Sequence, residues 1–302
     1  MDRLDQLRCF LRVAELGSFT GAADSLGLPK ASVSLAVQRL EAEVGVQLLH
    51  RTTRRVQLTA DGAQFQTRAH DLLHDMDDLQ GMFRVDTSQL KGRLRVDMSS
   101  GLARQLVIPQ LPGFLAQHPG VEIELSGTDR RVDLIREGFD CVLRVGPLDD
   151  NTLVARPLGR LPIVNCASPA YLAARGIPVT LDDLAGHALV HYVGTLGQRS
   201  PGFEYHDGEG YRSLPMRGAV TVNSGDGYTA AALAGLGIIQ VPRLGVRRAL
   251  ADGTLVEILP DCLAEPMPVS LLYAQRRHLP RRVAAFMEWA ATVIRPELLP
   301  QA

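Results

Sequence analysis

The sequence predicts an α+β chain in two parts: a small helical module at the N-terminus and a large α/β region, joined by a long helix. Three observations carry the prediction. Residues 1–58 read as short helical segments closed by glycines and followed by a basic stretch. Residues 59–90 sustain one helical period. From about residue 91 to the end at 302, strand-like runs alternate with helices, which is how an α/β domain with a largely parallel sheet reads.

The totals agree with such a chain. Its 302 residues suggest about two domains, and 46% hydrophobic residues suffice for packed cores. A net charge of −1 argues against a protein that coats nucleic acid generally, but it permits a local basic surface. Cys9, Cys141, Cys166 and Cys262 lie far apart without a C-x-x-C pair, so no disulfide framework or zinc site is expected. They read as small buried hydrophobes rather than redox sensors. Met1-Asp2-Arg3-Leu4-Asp5 lacks a signal-peptide core, and no run of about 18 apolar residues occurs. A cytoplasmic protein with no membrane partner is the expectation.

Leu4, Leu7, Phe10, Leu11 and Ala14 fall at helical spacing, and Gly17 stops that helix. Ser18 is placed to cap Phe19–Leu26. Gly27 gives a tight turn, Pro29 suits a helix start, and Lys30–Val44 forms a further helix ended by Gly45. The spacing of Ala23, Gly27 and Val33 is what two helices joined by a tight turn require: alanine for close approach, glycine for positive φ, valine to seat the second helix. Val46–Leu49 and Val56–Leu58 then bracket Leu49-His50-Arg51-Thr52-Thr53-Arg54-Arg55, as two strands bracket a wing. Residues 1–58 hold 8 Lys/Arg against 6 Asp/Glu, and residues 59–90 hold 2 against 6, so the positive charge concentrates in the wing. Residues 1–58 are therefore read as a winged helix-turn-helix. Its candidate DNA-contacting residues are Ser18, Lys30, Ala31, Ser32, Ser34, Gln38, Arg39, Arg51, Thr52, Arg54 and Arg55. A solvated arginine cluster on a protein-binding module is the competing reading; it leaves the helix-turn-helix spacing unexplained.

The stretch Phe10-x-x-Val13-Ala14-Glu15-x-Gly17-Ser18-Phe19-Thr20-x-Ala22-Ala23-x-x-Leu26 continues through Ala31-Ser32-Val33-Ser34 and Leu40-Glu41-x-Glu43-x-Gly45-Val46-x-Leu48-Leu49-x-Arg51. With Arg54-Arg55-Val56-x-Leu58-Thr59-x-x-Gly62, it resembles the LysR-type transcriptional regulators. Pro29, Lys30 and Leu35 depart from that family's usual residues. The resemblance is specific over the first sixty residues and weaker after residue 90.

Residues 59–88 read as one long polar helix. Phe65, Ala69, Leu72, Met76, Leu79 and Phe83 are spaced 4, 3, 4, 3, 4, the seam of a two-helix coiled coil. A helix packed only on its own domain is the alternative. The resemblance also implies a dimerising linker at 59–90, and two-fold symmetry then implies an interrupted palindrome of double-stranded DNA. Whether the assembly is a homodimer or a tetramer is left open by the pattern. His70 and His74 lie four apart but lack the surrounding ligands of a metal site, so no metal is assigned.

In the α/β region the expected strands are Arg93–Met98, Val121–Ser126, Cys141–Val145, Ile163–Cys166, Ala188–Tyr192, Val220–Val222, Gly237–Val241 and Val269–Tyr273. The expected helices are Leu102–Gln117, Val132–Glu137, Pro169–Ala174, Gly225–Ala234 and Pro280–Val293, and Gly194–Gly210 is a long loop. The resemblance implies a periplasmic-binding-protein-like effector domain of two subdomains, about 91–161 with 267–302 and about 162–266. Carried over by position, Ser99, Ser100, Thr128, Gly146, Asn223 and Ser224 would line the cleft between them. His191 joins them from its place at a strand end. Short hydroxyls and helix-start amides suit a small polar or anionic metabolite.

Catalysis is not expected, since a G-x-S-x-G elbow, a P-loop and a metal cluster are all missing, and no cofactor is called for. Gly235-Leu236-Gly237 is a fragment of a dinucleotide fingerprint, better explained as a helix end. A transport-type binding protein and an effector-less architectural DNA binder remain as rival classes. The favoured reading is a transcription regulator, acting on DNA and RNA polymerase under control of a metabolite.

Overall fold

The structure, a computed structural model, describes residues 1–51, 56–82, 90–148, 153–274 and 279–300. The chain forms two compact units. The first is Met1–Gln89 with Asp133–Phe139 and Arg276–Arg281; the second is Leu90–Val132, Asp140–Gln275 and Arg282–Ala302.

The first unit begins with α1 (Arg3–Leu16), α2 (Phe19–Leu26) and α3 (Lys30–Val44), then β1 (Leu49–Arg51), β2 (Val56–Leu58) and α4 (Ala60–Met82). Asp2 and Asp5 cap α1 reciprocally, at 2.8 and 3.2 Å, and Gly17 ends it with φ 58°. The sharp turn between α2 and α3 uses Gly27 at φ 64°, while Leu28 N–H donates to the Ala23 carbonyl at 3.0 Å. Phe10, Val13, Ala22, Val33, Val37 and Leu48 are fully buried in the core these elements share. The first wing strand lies later than Val46–Leu49: Glu41 Oε1 accepts the Leu48 and Leu49 N–H groups, which holds that backbone on α3, and pairing starts at Leu49 opposite Leu58.

The α4 helix enters the same core. Phe65 stacks edge-on against Phe10 at 5.5 Å, and Ala69 is 3% exposed. Two members of the expected 3.5-residue seam are thus used by the module's own packing. Leu72, at 52% exposed, and Met76, half-buried, are the seam residues left outside that core. Phe83, the end of the expected helix beyond Met82, and the Leu79 side chain lie outside the described residues. Gln66, 1% exposed, donates to the Arg136 carbonyl at 3.2 Å. Residues 133–138 make a single α-turn, Glu137 N–H to Asp133 O, rather than the helix expected at Val132–Glu137. Gly138 at φ 70° ends it before a second turn forms.

The second unit opens with β3 (Lys91–Met98). A continuous helical stretch follows: α5 (Ser100–Leu102), a π-helical turn (Ala103–Val107) and α6 (Ile108–Gln117). Next come β4 (Gly120–Gly127), β5 (Cys141–Val145), β6 (Leu153–Leu161), β7 (Ile163–Ala167), α7 (Pro169–Arg175) and β8 (His191–Tyr192). The chain continues through β9 (Phe203–His206), β10 (Tyr211–Leu214), β11 (Thr221–Val222), α8 (Gly225–Leu233), β12 (Ile239–Pro242) and α9 (Arg243–Ala251). It closes with β13 (Val256–Glu257), β14 (Met267–Ala274) and α10 (Arg281–Ile294).

One sheet has the order β4-β3-β5-β14-β6 and a second the order β12-β7-β13. Only half of the first is parallel: β3 runs with β4 and β5, whereas β14 is antiparallel to β5 and β6. The second is antiparallel throughout. The expectation of a largely parallel sheet is corrected here. A run such as Val269–Leu272, buried on both faces, would read the same in either direction, so its sequence carries no sign of strand polarity. The expected loop Gly194–Gly210 contains β9, which pairs with β10 and is anchored by fully buried Phe203. Gln240 satisfies both backbone groups of Glu204 through its side-chain amide, at 2.6 and 2.7 Å, and donates to Asn165 Oδ1 at 2.8 Å.

Candidate nucleic-acid interface and effector cleft

On α3, Val33, Ala36, Val37 and Leu40 point into the core. Their opposite face therefore carries Ala31, Leu35, Gln38 and Arg39, all exposed, with Lys30 at the helix start and half-buried Ser32 and Ser34 along its flanks. Amide, hydroxyl and cationic groups on one helical face match the donors and acceptors on base edges and phosphates. Leu35, 46% exposed, stands apolar in the middle of that face. Ser18 is committed locally, its hydroxyl oxygen accepting the Gly21 N–H at 3.2 Å to start α2. Thr52, Arg54, Arg55 and the Arg51 side chain lie outside the described residues.

Thr59 ties the wing to α4. Its hydroxyl donates to the Gln47 carbonyl at 2.8 Å and accepts the Gly62 N–H at 2.8 Å, while its own N–H donates to Leu48 O at 3.0 Å. Gly62 is required by the approach that results, because a Cβ there would stand 2.0 Å from the Leu48 carbonyl oxygen. His70 on α4 comes within 3.9 Å of Glu15, which also pairs with Arg12 at 2.9 Å.

In the second unit, two helices start towards one carboxylate. Asp129 Oδ1 accepts the Ser100 N–H at 3.2 Å, and its Oδ2 accepts the Gly225 N–H at 2.7 Å. Ser100 follows β3 of the five-stranded sheet, whereas Gly225 opens α8, which packs with the second sheet's core. Ser99 and Ser224 cap these two helices, accepting from Leu102 N–H at 3.4 Å and Gly227 N–H at 3.2 Å. The Ser100 hydroxyl donates to the Gly127 carbonyl at 3.2 Å. Thr128 turns its hydroxyl to Asp97, a carboxylate 1% exposed that also accepts from Ser126 at 2.7 Å. Arg144 donates to the Arg130 carbonyl at 3.0 Å, and burial draws its guanidinium below the usual range against the pull of Asp97.

Ser99, Ser100, Thr128 and Ser224 are thus brought to one locality, and Asn223 stands exposed beside Ser224. Gly146, at φ 103°, spends its N–H on the Pro268 carbonyl at 2.8 Å, so it offers no bare amide. His191 lies against Gly218: a Cβ there would come within 2.8 Å of the ring Nε2. Successive strand residues face opposite ways, and the neighbour, Tyr192, is the one near Asp129. Burial first, then the charge of Asp129, raises its phenol above the ordinary range. Asp97, Arg144 and Tyr192 were missed from the sequence, where Asp129 reads only as part of the loop Thr128-Asp129-Arg130 after the second strand. Asp97 continues the charged alternation of Arg93 and Arg95, so the strand pattern does not mark it as buried.

Residues 4–63 match the model for "Bacterial regulatory helix-turn-helix protein, lysR family", and residues 87–295 match "LysR substrate binding domain". The chain belongs to the LysR-type transcriptional regulators. A LysR-type protein of this kind is a DNA-binding regulator modulated by an effector, not an enzyme. The chain is 49% identical over 298 residues to the HTH-type transcriptional regulator YhjC of Escherichia coli K12, covering 99% of this chain and 100% of that one. Among solved structures it resembles CrgA of Neisseria meningitidis, a LysR-type regulator, at 30% identity and TM-score 0.59, with 95% and 97% of the two chains covered. It also resembles AphB, the Vibrio cholerae virulence activator, at 28% identity and TM-score 0.58, covering 97% and 99%. No helix among the described residues is long and apolar enough to cross a membrane.

Proposed function

We propose that this LysR-type regulator binds an interrupted palindrome as a dimer or a dimer of dimers, through α3 in the major groove and the wing arginines on the backbone or minor groove. In this reading the α4 helices pair through Leu72 and Met76. A small polar or anionic metabolite enters the cleft beside Ser99, Ser100, Thr128, Asn223 and Ser224, altering DNA bending and engagement of RNA polymerase. One observation supports the effector reading above others: helix starts from two different sheets, at Ser100 and Gly225, aim their amides at a single anionic group.

Genome-wide mapping of the bound sites, followed by calorimetric titration of metabolites handled by the neighbouring genes, tests it. Ser100→Ala and Asn223→Ala should each weaken the responding metabolite's affinity severalfold. If both bind it as the wild type does, the effector site is elsewhere. For the wing, Arg54→Ala with Arg55→Ala should flatten the log–log salt slope of DNA binding by roughly 2 per wing, and an unchanged slope removes these arginines from the interface.

A further inference from the structure

A helix start has unsatisfied N–H groups, and an anion is their natural partner. At Ser100 and Gly225 that partner is the protein's own. Asp129 acts as a fork, with Oδ1 on one helix and Oδ2 on the other, at 3.2 and 2.7 Å. A second tie joins the same two helical stretches: Arg104, in the π-helical turn, pairs with Asp226 at 2.8 Å. Both partners are 57% exposed, so that pair is a weak, readily broken link beside the carboxylate fork. The loop that carries Asp129 is itself braced, by Thr128 N–H on the Met98 carbonyl at 2.9 Å and by the Thr128 hydroxyl near Asp97.

We propose that Asp129 is an autoinhibitory carboxylate: it occupies the place an effector's carboxylate takes and ties the two helix starts together when no effector is bound. This rests on the reading of the cleft as the effector site and adds how that site is regulated. An effector must bring an acceptor oxygen to each helix start, which a carboxylate does with its two oxygens, because a ligand that displaced Asp129 without them would leave two N–H groups unsatisfied. Its apparent affinity is the intrinsic affinity multiplied by the fraction of molecules in which Asp129 has swung away. Binding also expels Asp129 and, with it, its loop, so occupancy of the cleft becomes a movement of the chain just before Val132.

Hydrogen exchange on the full-length protein tests this without knowing the effector. The probe is sodium acetate, compared with sodium chloride at equal ionic strength. In Asp129→Ala the amides at Ser100–Ala103 and at Gly225–Tyr228 should both exchange more than tenfold faster than in wild type. Acetate should then restore protection saturably at both segments, and chloride should not. Asp129→Asn keeps one carbonyl oxygen and should protect one segment but not both; it also carries the test if the alanine variant fails to fold. Wild-type exchange rates in both variants would overturn the proposal, as would acceleration at a single segment in Asp129→Ala. Equal effects of acetate and chloride would show that the vacated place is not built for a carboxylate. None of these outcomes uses the physiological effector. They therefore fail independently of the effector reading, which falls on the Ser100 and Asn223 variants above.

Discussion

Replacing Gly62 by alanine should selectively destabilise the DNA-binding unit. The added Cβ would sit 2.0 Å from the Leu48 carbonyl oxygen and 2.9 Å from its carbon, and Leu48 is fully buried. Restoring an ordinary contact of about 3 Å needs the start of α4 to retreat from the wing by about 1 Å, in a core that is already close-packed. Overpacking of this kind costs about 1–3 kcal/mol. The retreat also stretches the Thr59 cap, whose bonds to Gly62 N–H and Gln47 O are both 2.8 Å long, for up to about 2 kcal/mol more. Alanine returns up to about 1 kcal/mol as the better helix former. The balance is a loss of about 2–3 kcal/mol, or a drop of roughly 10–20 °C in the melting of a module this size. The chain has one tryptophan, Trp289, which sits in α10 of the second unit, so fluorescence follows that unit while helical circular dichroism follows both. The expected result is an early circular-dichroism transition with the fluorescence midpoint unmoved. A circular-dichroism midpoint within about 2 °C of wild type would refute the steric reasoning.

Leu35 offers a second test of the proposed major-groove contact, since an exposed leucine amid a polar helix face suits a thymine methyl. Replacing the contacted thymine by uracil in a selected duplex should cost wild type about fourfold in affinity, near one methyl's worth, and should cost Leu35→Ala nothing; equal losses in both proteins would reject the contact. Leu72→Asp should halve the sedimenting mass of a linker dimer, and an unchanged mass would exclude that helix face from the interface. His187 is 8% exposed, and burial lowers its pKa below 6.5 despite the opposing pull of Asp183. The unfolded chain therefore binds the extra proton first, so this group's share of stability is complete above about pH 6.5 and declines as the pH falls towards the folded pKa. His187→Gln should flatten the stability profile of the second unit in that window, and a slope equal to wild type would show that another group sets it.

The parts of the molecule legible in sequence are those whose causes are local. The Ala23–Gly27–Val33 spacing places α2 and α3, because tight turns and close helix contacts are specified within ten or so residues. Phe65 and Ala69 show the limit of the same method: their periodicity fits both a seam and a core, and only Phe10, far back in the chain, decides between them. The nine-residue strand Leu153–Leu161 was missed because Pro157, Gly159 and its arginines read as loop; it is an edge strand, where proline is tolerated. Helix Arg243–Ala251 was hidden by Pro242 before it, Gly245 within it and the adjacent pair Arg247-Arg248. Asp129 was in view as a loop residue, but its partner at Gly225 is 96 positions away, and no local pattern announces such a pair.

The way β6 and β14 leave the five-stranded sheet has a mechanical consequence. Every strand of the second sheet lies between Ile163 and Glu257, so the chain passes between the two sheets just twice, after Leu161 and again before Met267. These passages are neighbours, for Leu161 and Met267 face each other in register. Arg160 staples them, donating to the Pro266 carbonyl at 2.9 Å and pairing with Glu265. Two adjacent tethers behave as a door hinge rather than a ball joint: they allow one swing and resist twisting. The tie between Ser100 and Gly225 through Asp129 joins the same two parts of the chain, so loosening it should free a swing along one arc rather than a twist.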